Sequence, residues 1–329
     1  MEQYLDLVET VLREGTYKPN RTGVDTIAAF SQHYEIDLQK GYPLLTTKRM
    51  DDARWNSMIH ELLWYLSGEE HIRNLREHTG IWNAWADEAG TLDTAYGRFW
   101  RRFPIPESGL DGETWTDDAH RWVNDDERTF DQIRYVLDTL REDPNSRRMI
   151  VDAWHPANAT ISTLPPCHYT FVVSVQDDAL NLHLTQRSGD IALGIPFNIA
   201  AYSLLATIFA QRTGFDVGSF AHTIVDAHVY CGNGARGSWY ADALAEFQGR
   251  LAACESRAEY ARVQAWIEDE APAAEGYDHV PNLLEQLTRE PLSRPTIEVA
   301  DVPIDDLAFE DIQLQNYDSH PKLGFKVAE

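Results

Sequence analysis

Residues 164–190 read LPPCHYTFVVSVQDDALNLHLTQRSGD, and this stretch contains the two strands on which the fold prediction rests. Residues 169–176 are rich in β-branched and aromatic side chains, whereas residues 180–187 alternate apolar with polar ones. Asp177-Asp178 is the turn that joins them into an antiparallel hairpin. A tight turn there places Cys167 opposite residues 188–190 and makes Arg187 a cross-strand neighbour, at roughly 5–8 Å between Cβ atoms.

Cys167 is the candidate nucleophile of the chain. A thiol has a pKa of about 8.5 and attacks poorly at neutral pH, but an adjacent cation such as Arg187 favours the thiolate. Two prolines before Cys167 and the polar run of residues 187–190 are untypical of a packed core. We therefore predict a reactive cysteine rather than a small buried apolar residue. Cys231 and Cys254 lack such neighbours and are interpreted as inert.

The composition favours one large domain without disulfides, metal or membrane segments. The chain has 329 residues, 43% of them hydrophobic, which is ample for a core. Three cysteines without regular spacing predict neither a disulfide framework nor a zinc site, and they suit a reducing cytoplasm. The first residues do not resemble a signal peptide, and the longest apolar run, residues 199–210, is too short to span a bilayer.

The charge balance is strongly acidic. Fifty-three acidic residues against 28 Lys plus Arg give a net charge of −25, and only five of the cations are lysines. Such a surface repels itself unless salt screens it, so the composition predicts a halophile's cytoplasm and makes nucleic acid an improbable partner. A small anionic substrate stays compatible because arginines are gathered at Arg21, Arg147-Arg148 and Arg187.

Apolar periodicity predicts the other elements. Helices are expected over residues 4–15, 53–66, 69–77, 129–140 and 195–214, and further strands over residues 149–154, 217–230 and 296–300. The acidic stretches 104–128 and 232–285 are interpreted as insertions in a single domain covering residues 1–329, most simply as solvated surface elaborations.

Eleven short motifs together resemble the thymidylate synthase family, in that family's order and through nearly the whole chain. They are 20–23 (NRTG), 43–48 (PLLTTK), 60–64 (HELLW), 81–82 (IW), 96–97 (YG), 146–148 (SRR), 166–168 (PCH), 186–190 (QRSGD), 194–198 (GIPFN), 226–230 (DAHVY) and 317–321 (YDSHP). Each motif alone is weak, but eleven in order make a chance resemblance very improbable.

The resemblance implies the reductive methylation of dUMP to dTMP, with 5,10-methylenetetrahydrofolate as one-carbon and hydride donor and with no metal. It implies an α/β (α+β) fold, in which a large twisted mixed sheet is flanked by helices. Two such sheets would pack face to face in a homodimer. Adding a thiolate at C6 of uracil makes C5 nucleophilic, which is covalent catalysis of a difficult step.

The resemblance also implies roles for individual residues. Cys167, Glu61, Asn198 and Arg187 would be catalytic. The dUMP site would be formed by Arg21, Arg147, Arg148, Arg187, Ser188, Gly189, Asp190, Asn198, His228 and Tyr230, with Arg147 and Arg148 reaching the partner's site. Trp82, Asp190 and Ala328 would contact the folate, the last from a C-terminal tail that closes over it.

Plainer interpretations of the same residues stay open. Asn198 could be an ordinary helix cap, Glu61 a buried structural acid paired with an arginine, and His228 a structural histidine. Desolvation on an apolar helix face would instead raise the pKa of Glu61 and suit it to proton transfer.

The chain departs from the family pattern at three places. Gly189 stands where a small side chain is common, Ile224-Val225 replaces a Gly-Gly pair, and the tail of residues 323–329 differs from the usual ending. The second departure could stiffen the approach to His228, and the third leaves the folate contacts of the tail open.

Three other functions are compatible with parts of the sequence. A dUMP or dCMP hydroxymethylase of the same superfamily would quench the methylene with water, although Asn198 disfavours cytosine and Trp82 favours hydride transfer. A thiol hydrolase would need His168 as base, but consecutive strand residues face opposite ways. A non-enzymatic nucleotide-binding or RNA-binding module would leave Cys167 without a purpose.

Overall fold

The computed structural model describes residues 1–20, 22–51, 53–92, 95–105, 119–124, 126–274 and 276–327. In chain order the first elements are α1 (Glu2–Glu14), β1 (Thr16–Lys18), β2 (Val24–Asp37), α2 (Ala53–Ser67), α3 (Tyr96–Arg101), β3 (Phe103–Pro104), β4 (Val123–Asn124), β5 (Thr129–Phe130), α4 (Gln132–Glu142) and β6 (Ile150–Asp152). They continue with α5 (Pro156–Ile161), β7 (His168–Gln176), β8 (Ala179–Asp190), α6 (Gly194–Thr213), β9 (Asp216–Asn233), α7 (Gly234–Ala252), α8 (Tyr260–Glu270), α9 (Val280–Leu287), β10 (Thr296–Val299) and β11 (Ile312–Gln315).

Six strands form the central sheet in the order β1-β2-β9-β8-β7-β6. The β8–β9 pair is parallel and the other pairs are antiparallel, so the sheet is mixed, as predicted. Helix α6 packs on β8 and β9, and α1 packs on β2, which covers one face with helices. Two small sheets, β10-β11 and β3-β5-β4, lie apart from the central one.

The predicted hairpin is β7–β8, and its register is correct until the last residues. Asp177 and Asp178 both have left-handed backbone angles, φ 50° and 59°, as a two-residue hairpin turn of the primed type requires. Gln176 pairs with Ala179, but the register shifts between His168 and Thr170. The Arg187 N–H consequently donates to the Cys167 carbonyl at 2.8 Å. The expectation that Cys167 faces residues 188–190 was therefore wrong, because this irregularity offsets the ladder.

The two faces of the central sheet differ in burial. One row across the strands is buried throughout and consists of Val151, Phe171, Leu184, His222 and Tyr34. The adjacent row points the other way and is exposed or half-buried: Ile150, Val172, His183, Ala221 and Glu35. Alternate residues of a strand face opposite sides, so the core lies on the helical side only.

Helix α6 is the central core helix. Its residues are apolar nearly all round, with Pro196 in the first turn and Gly214 ending it at φ 79°, as predicted. By length and composition it could cross a membrane, but 72% of its most apolar window is buried inside the molecule. That burial is typical of a helix surrounded by protein.

The segment of residues 232–285 contributes to the core, which corrects its interpretation as merely solvated surface. Tyr240 and Phe247 of α7 are fully buried, and so are Tyr260 and Ile267 of α8. Acidic side chains occupy the outer faces of these helices, whereas the inner face of α7 packs on α1 and the central sheet and α8 packs on α9 and α7. Residues 106–118 and 125, most of the other proposed insertion, lie outside the described residues.

Three predicted elements are shorter than expected. Residues 69–77 form only a 3-10 turn at Leu75–Glu77, because the preceding backbone pairs with residues 90–92 through His71 and Thr91. Helix α4 begins after residues 129–130, which form β5, because the Asp131 side chain caps it by accepting from the Arg134 N–H. The strand predicted over residues 149–154 is limited to β6.

Candidate active site

Four chain segments converge at one end of the sheet: the start of β7, the end of β8, the start of α6 and the later part of β9. Parallel pairing of β8 and β9 sets Ser188 beside Asp226 and Asp190 beside His228. The Ile191 N–H extends this pairing by donating to the His228 carbonyl at 2.9 Å. Predicted site residues that are distant in sequence are thus adjacent in the fold.

Arg187 is the cross-strand neighbour of Cys167, as predicted. Its guanidinium donates from Nε to the Pro166 carbonyl at 2.9 Å and from Nη2 to the Pro165 carbonyl at 2.6 Å. The Cys167 Sγ lies 3.9 Å from the same Pro165 oxygen. The Pro165 carbonyl oxygen is thus a shared neighbour of the Cys167 sulfur and the Arg187 guanidinium, which is the arrangement that the predicted activation of Cys167 requires.

Buried aromatic residues hold the backbone at Cys167 and the neighbouring His168 in place. The Cys167 N–H donates to the Tyr96 Oη at 2.7 Å, and the Tyr96 ring stacks on His168 with 3.9 Å between ring centres. His168 Nδ1 is hydrogen-bonded to the Tyr202 hydroxyl at 2.7 Å. Burial lowers the pKa of His168 to about 3, so its imidazole is neutral at physiological pH. His168 is thus a packed structural residue, which disfavours the thiol hydrolase.

Glu61 and Trp82, assigned to different roles, are directly bonded. The indole Nε1–H of Trp82 donates to Glu61 Oε1 at 2.7 Å. Burial raises the pKa of Glu61 to about 7, although the hydrogen bond from Trp82 favours the charged form. Tyr65, one turn along α2, has its ring 5.0 Å from that of Tyr96. The buried rings of Tyr65 and Tyr96 therefore lie between the half-buried Glu61 and the half-buried Cys167.

Asp190 and Asn198 flank the start of α6. Asp190 Oδ1 accepts from the Ala192 N–H at 2.8 Å and the Leu193 N–H at 3.3 Å, which anchors its carboxylate. Leu193 occupies the N-cap position, so Asn198 is not a helix cap and that alternative is wrong. The side-chain oxygen of Asn198 instead lies near Gly194: a Cβ built on that glycine would be 3.9 Å from Asn198 Oδ1.

His228 and Tyr230 lie two residues apart on β9, with 5.3 Å between their ring centres. His228 Nδ1 is 3.1 Å from Asp226 Oδ1, and Asp226 also pairs with Lys18. The pKa of Asp226 is lowered to about 2, first by the His228 hydrogen bond. The resulting carboxylate orients the imidazole, which leaves the other ring nitrogen for a ligand.

Two of the departures from the family pattern are physically coupled. A Cβ on Gly189 would stand 2.5 Å from Ile195 Cδ1 and 3.2 Å from Ile224 Cγ2. Ile195 thus occupies most of the space that a side chain at residue 189 would need, and Ile224 borders it; both isoleucines are fully buried. Gly189 is required here by packing, since its backbone angle is not left-handed.

The structure does not assign four of the predicted site residues to this cluster. Arg147 and Arg148 are exposed in the loop between α4 and β6. Arg21 and Ala328 lie outside the described residues.

Sequence reasoning assigned no role to Lys48 or Tyr96, although both belong to motifs that carried the resemblance. Lys48 is only 2% exposed and donates to the Ala192 carbonyl at 2.6 Å, beside Asp190. Burial lowers the pKa of Lys48 to about 7, and its Nζ lies 4.7 Å from the centre of the Phe325 ring. The tail therefore contacts the site through Phe325.

Neither metal ligands nor other reactive thiols are found among the described residues. No group of three or more His, Cys, Asp or Glu side chains in that part of the chain could hold a metal ion. All three cysteines are unbridged. Burial raises the pKa of Cys231, and desolvation also raises that of Cys254, in keeping with their interpretation as inert.

Comparison with known proteins gives a consistent result. A family model described as thymidylate synthase matches residues 2–329. A curated thymidylate synthase from Haloferax volcanii is 67% identical over 328 residues, which cover 98% of this chain and 96% of that protein.

Proposed function

The chain belongs to the thymidylate synthase family, and from this membership we propose that it methylates dUMP to dTMP, taking both the carbon and the hydride from 5,10-methylenetetrahydrofolate. The observation that carries the proposal is the line of groups from Cys167 through the buried rings of Tyr96 and Tyr65 to Glu61 and Trp82. It links a candidate nucleophile to a carboxyl that exchanges protons near neutral pH.

In the proposed reaction the Cys167 thiolate adds to C6 of the uracil ring. Negative charge then develops on the O4 side, and C5 becomes nucleophilic toward the folate methylene. Asn198 would pair with the pyrimidine edge, because a carboxamide donates and accepts side by side and can match O4 and N3–H. The side chains of Asn198 and Asp190 both lie near Gly194 at the start of α6, and this position of Asn198 supports the role.

Glu61 would relay protons to and from the pyrimidine. A carboxyl with a pKa of about 7 is present in both protonation states at working pH, which suits general acid–base catalysis. Its hydrogen bond to Trp82 supports placing the folate at the same point, with Trp82 and Asp190 at the pterin and Ala328 on the closing tail.

The phosphate of dUMP would be bound by Arg21, Arg187 and Ser188, and by Arg147 and Arg148 of a second subunit. Planar guanidinium groups suit bidentate binding of phosphate. The sheet face opposite the described helices α1 and α6 supports a homodimer, because Ile150 and Val225 on it are 46% and 37% exposed. His228 and Tyr230 would bind the deoxyribose hydroxyl, Gly189 would line the dUMP site, and the enzyme would act in the cytoplasm.

The test is covalent trapping with 5-fluoro-dUMP and methylenetetrahydrofolate, followed by mass mapping of the adduct. The fluorine at C5 cannot leave as a proton does, so the adduct should accumulate on Cys167. A Cys167→Ala variant should bind dUMP but form neither adduct nor dTMP. An adduct on another residue, or full turnover by the variant, would contradict the assignment.

The hydroxymethylase alternative is not favoured, because both the family model and the relative are named for the synthase. Separate assays with dUMP and dCMP distinguish the two activities. Hydride transfer oxidises the folate to dihydrofolate, which is followed by its ultraviolet absorbance. A hydroxymethylated product without that absorbance change would favour the alternative.

A further inference from the structure

We propose that His279 is a positioning residue, which couples the C-terminal tail to Asp190 in the active site. The inference rests on the proposed function, because it assigns His279 to the folate side of that site. His279 lies between Asp278, which pairs with Cys231 in an isolated β-bridge, and the start of α9. The backbone N–H of His279 donates to the Tyr230 carbonyl at 2.9 Å. Its side chain is 1% exposed.

The two ring nitrogens of His279 face different parts of the molecule. Nε2 lies 2.9 Å from the Lys326 carbonyl oxygen. A carbonyl only accepts, so this nitrogen carries the hydrogen and the tail backbone is bound to it. Nδ1 is buried without a hydrogen-bond partner in the described part of the chain, and it lies 3.9 Å from Asp190 Oδ1. The imidazole thus spans the gap between the tail and Asp190.

An unpaired buried nitrogen is costly unless something else completes the site. Oδ1 of Asp190 is fixed by the Ala192 and Leu193 N–H groups, and this anchored oxygen is the one that lies 3.9 Å from His279 Nδ1. A bound folate that contacts Asp190 can supply the missing partner of Nδ1. One ring then connects the tail to the folate side of the site.

The tail has a second anchor that does not touch Asp190. Asn282 Nδ2 donates to the Gly324 carbonyl at 2.6 Å. Between the two anchors, the Phe325 ring lies 5.2 Å from the His279 ring and also covers Lys48. Asn282 therefore offers a matched control: its loss loosens the tail but leaves the neighbour of Asp190 in place.

The segment that precedes His279 holds it rigidly. Arg236 pairs with the buried Asp278 through Nε and Nη2, both 2.7 Å from Oδ2, and the Tyr240 hydroxyl donates to the same oxygen at 3.0 Å. The other Asp278 oxygen accepts from the Val280 N–H at 3.0 Å. Arg236 and Tyr240 of α7 thus fix the backbone next to His279. Through this contact, α7 is linked to the active site.

The experiment compares His279→Ala, His279→Gln and Asn282→Ala in the full-length protein. Hydrogen exchange of tail amides is measured without substrates, and the KM for methylenetetrahydrofolate and the affinity for dUMP are measured separately. His279→Ala should lose tail protection and raise the folate KM about tenfold, the loss expected for one hydrogen bond in a buried site. Its dUMP affinity should stay within about twofold.

The two other variants separate the two contacts. A glutamine amide can replace Nε2, so His279→Gln should keep tail protection but only part of the folate affinity, because nothing then faces Asp190. Asn282→Ala should lose tail protection with a smaller rise in folate KM. An unchanged folate KM in His279→Ala, or a rise equal to that of Asn282→Ala, would overturn the coupling.

A purely structural role is recognised by its different pattern. It would weaken dUMP and folate binding alike in His279→Ala and lower the unfolding temperature in the glutamine variant as well. Tail exchange needs no turnover, so it tests the anchor even if dTMP formation fails in the unmodified protein. That failure would contradict the proposed function alone.

Discussion

Glu61 is a half-buried residue of α2, and the indole of Trp82 donates to one of its carboxylate oxygens. Desolvation raises its pKa from 4.5 to about 7, because a shielded carboxylate loses its hydration. The folded state therefore binds a proton that the unfolded state has lost between these two pH values. The contribution of Glu61 to the free energy of unfolding is fully present below pH 4.5 and is lost as the pH rises toward 7.

At the scale of this residue, we expect Trp82→Phe to raise the pKa of Glu61 further, because the lost N–H stabilised the carboxylate. The free energy of unfolding, measured from about pH 4.5 to 8, should decline less with pH in Glu61→Gln than in the unmodified chain, by about 3 kcal/mol. Trp266→Phe, in α8, is the control for the loss of an indole in Trp82→Phe. An identical pH dependence in the Glu61→Gln variant would contradict the shift.

At the scale of elements, the end of β8 is shaped by α6 and β9 together. Gly189 lies between Ser188 and Asp190, and the absent Cβ gives room to Ile195 and Ile224. A side chain there would push β8 away from α6 and move both neighbours, which are proposed ligands of the substrates. Ile195 makes the tighter of the two contacts, and Ile224 narrows the remaining space.

We expect Gly189→Ala to destabilise the protein by about 1–3 kcal/mol through overpacking. Ile195→Val removes the atom 2.5 Å from the added Cβ, so the double variant should recover most of that loss. Chemical denaturation measures both. Gly249→Ala, on an exposed position of α7 with no neighbour within 4 Å, should change stability little or raise it. A Gly189→Ala variant as stable as the parent would refute the coupling.

At the scale of the whole molecule, the net charge of −25 opposes folding and association. The relative from Haloferax volcanii comes from a halophilic archaeon, in keeping with the prediction from composition. Salt shortens the range of repulsion from about 10 Å at 0.1 M to about 3 Å at 1 M. Acidic side chains on the outer faces of α7 and α8 are part of this surface.

We expect the unfolding temperature to rise by several degrees as KCl is increased from about 0.1 M to above 1 M, because screening removes most of the repulsion. Sucrose at equal osmolarity is the control, since it strengthens burial without screening charge. An equal rise in sucrose would show that charge repulsion is not the cause.

If Arg147 and Arg148 reach the phosphate in the partner's site, as we propose, each active site contains residues of two subunits. Mixing Cys167→Ala chains with Arg148→Ala chains should restore activity, because a mixed dimer then contains one site with neither defect. Random pairing predicts about a quarter of the unmodified activity. If Arg148 serves its own subunit instead, every site in the mixed dimer carries one defect and the mixture stays inactive.

The sequence alone determined the β7–β8 hairpin, helices α1 and α6, the identity of the candidate nucleophile and the family, because turn chemistry, apolar periodicity and short motifs are local properties. Tertiary structure decided the rest. Packing between segments distant in sequence sets the offset that pairs Cys167 with Arg187 and the contact of Cys167 with Tyr96, 71 residues away. It also sets the burial that shifts the pKa of Glu61 and the position of His279 between the tail and Asp190. Such contacts leave no periodic signal in either partner, so only the folded chain reveals them.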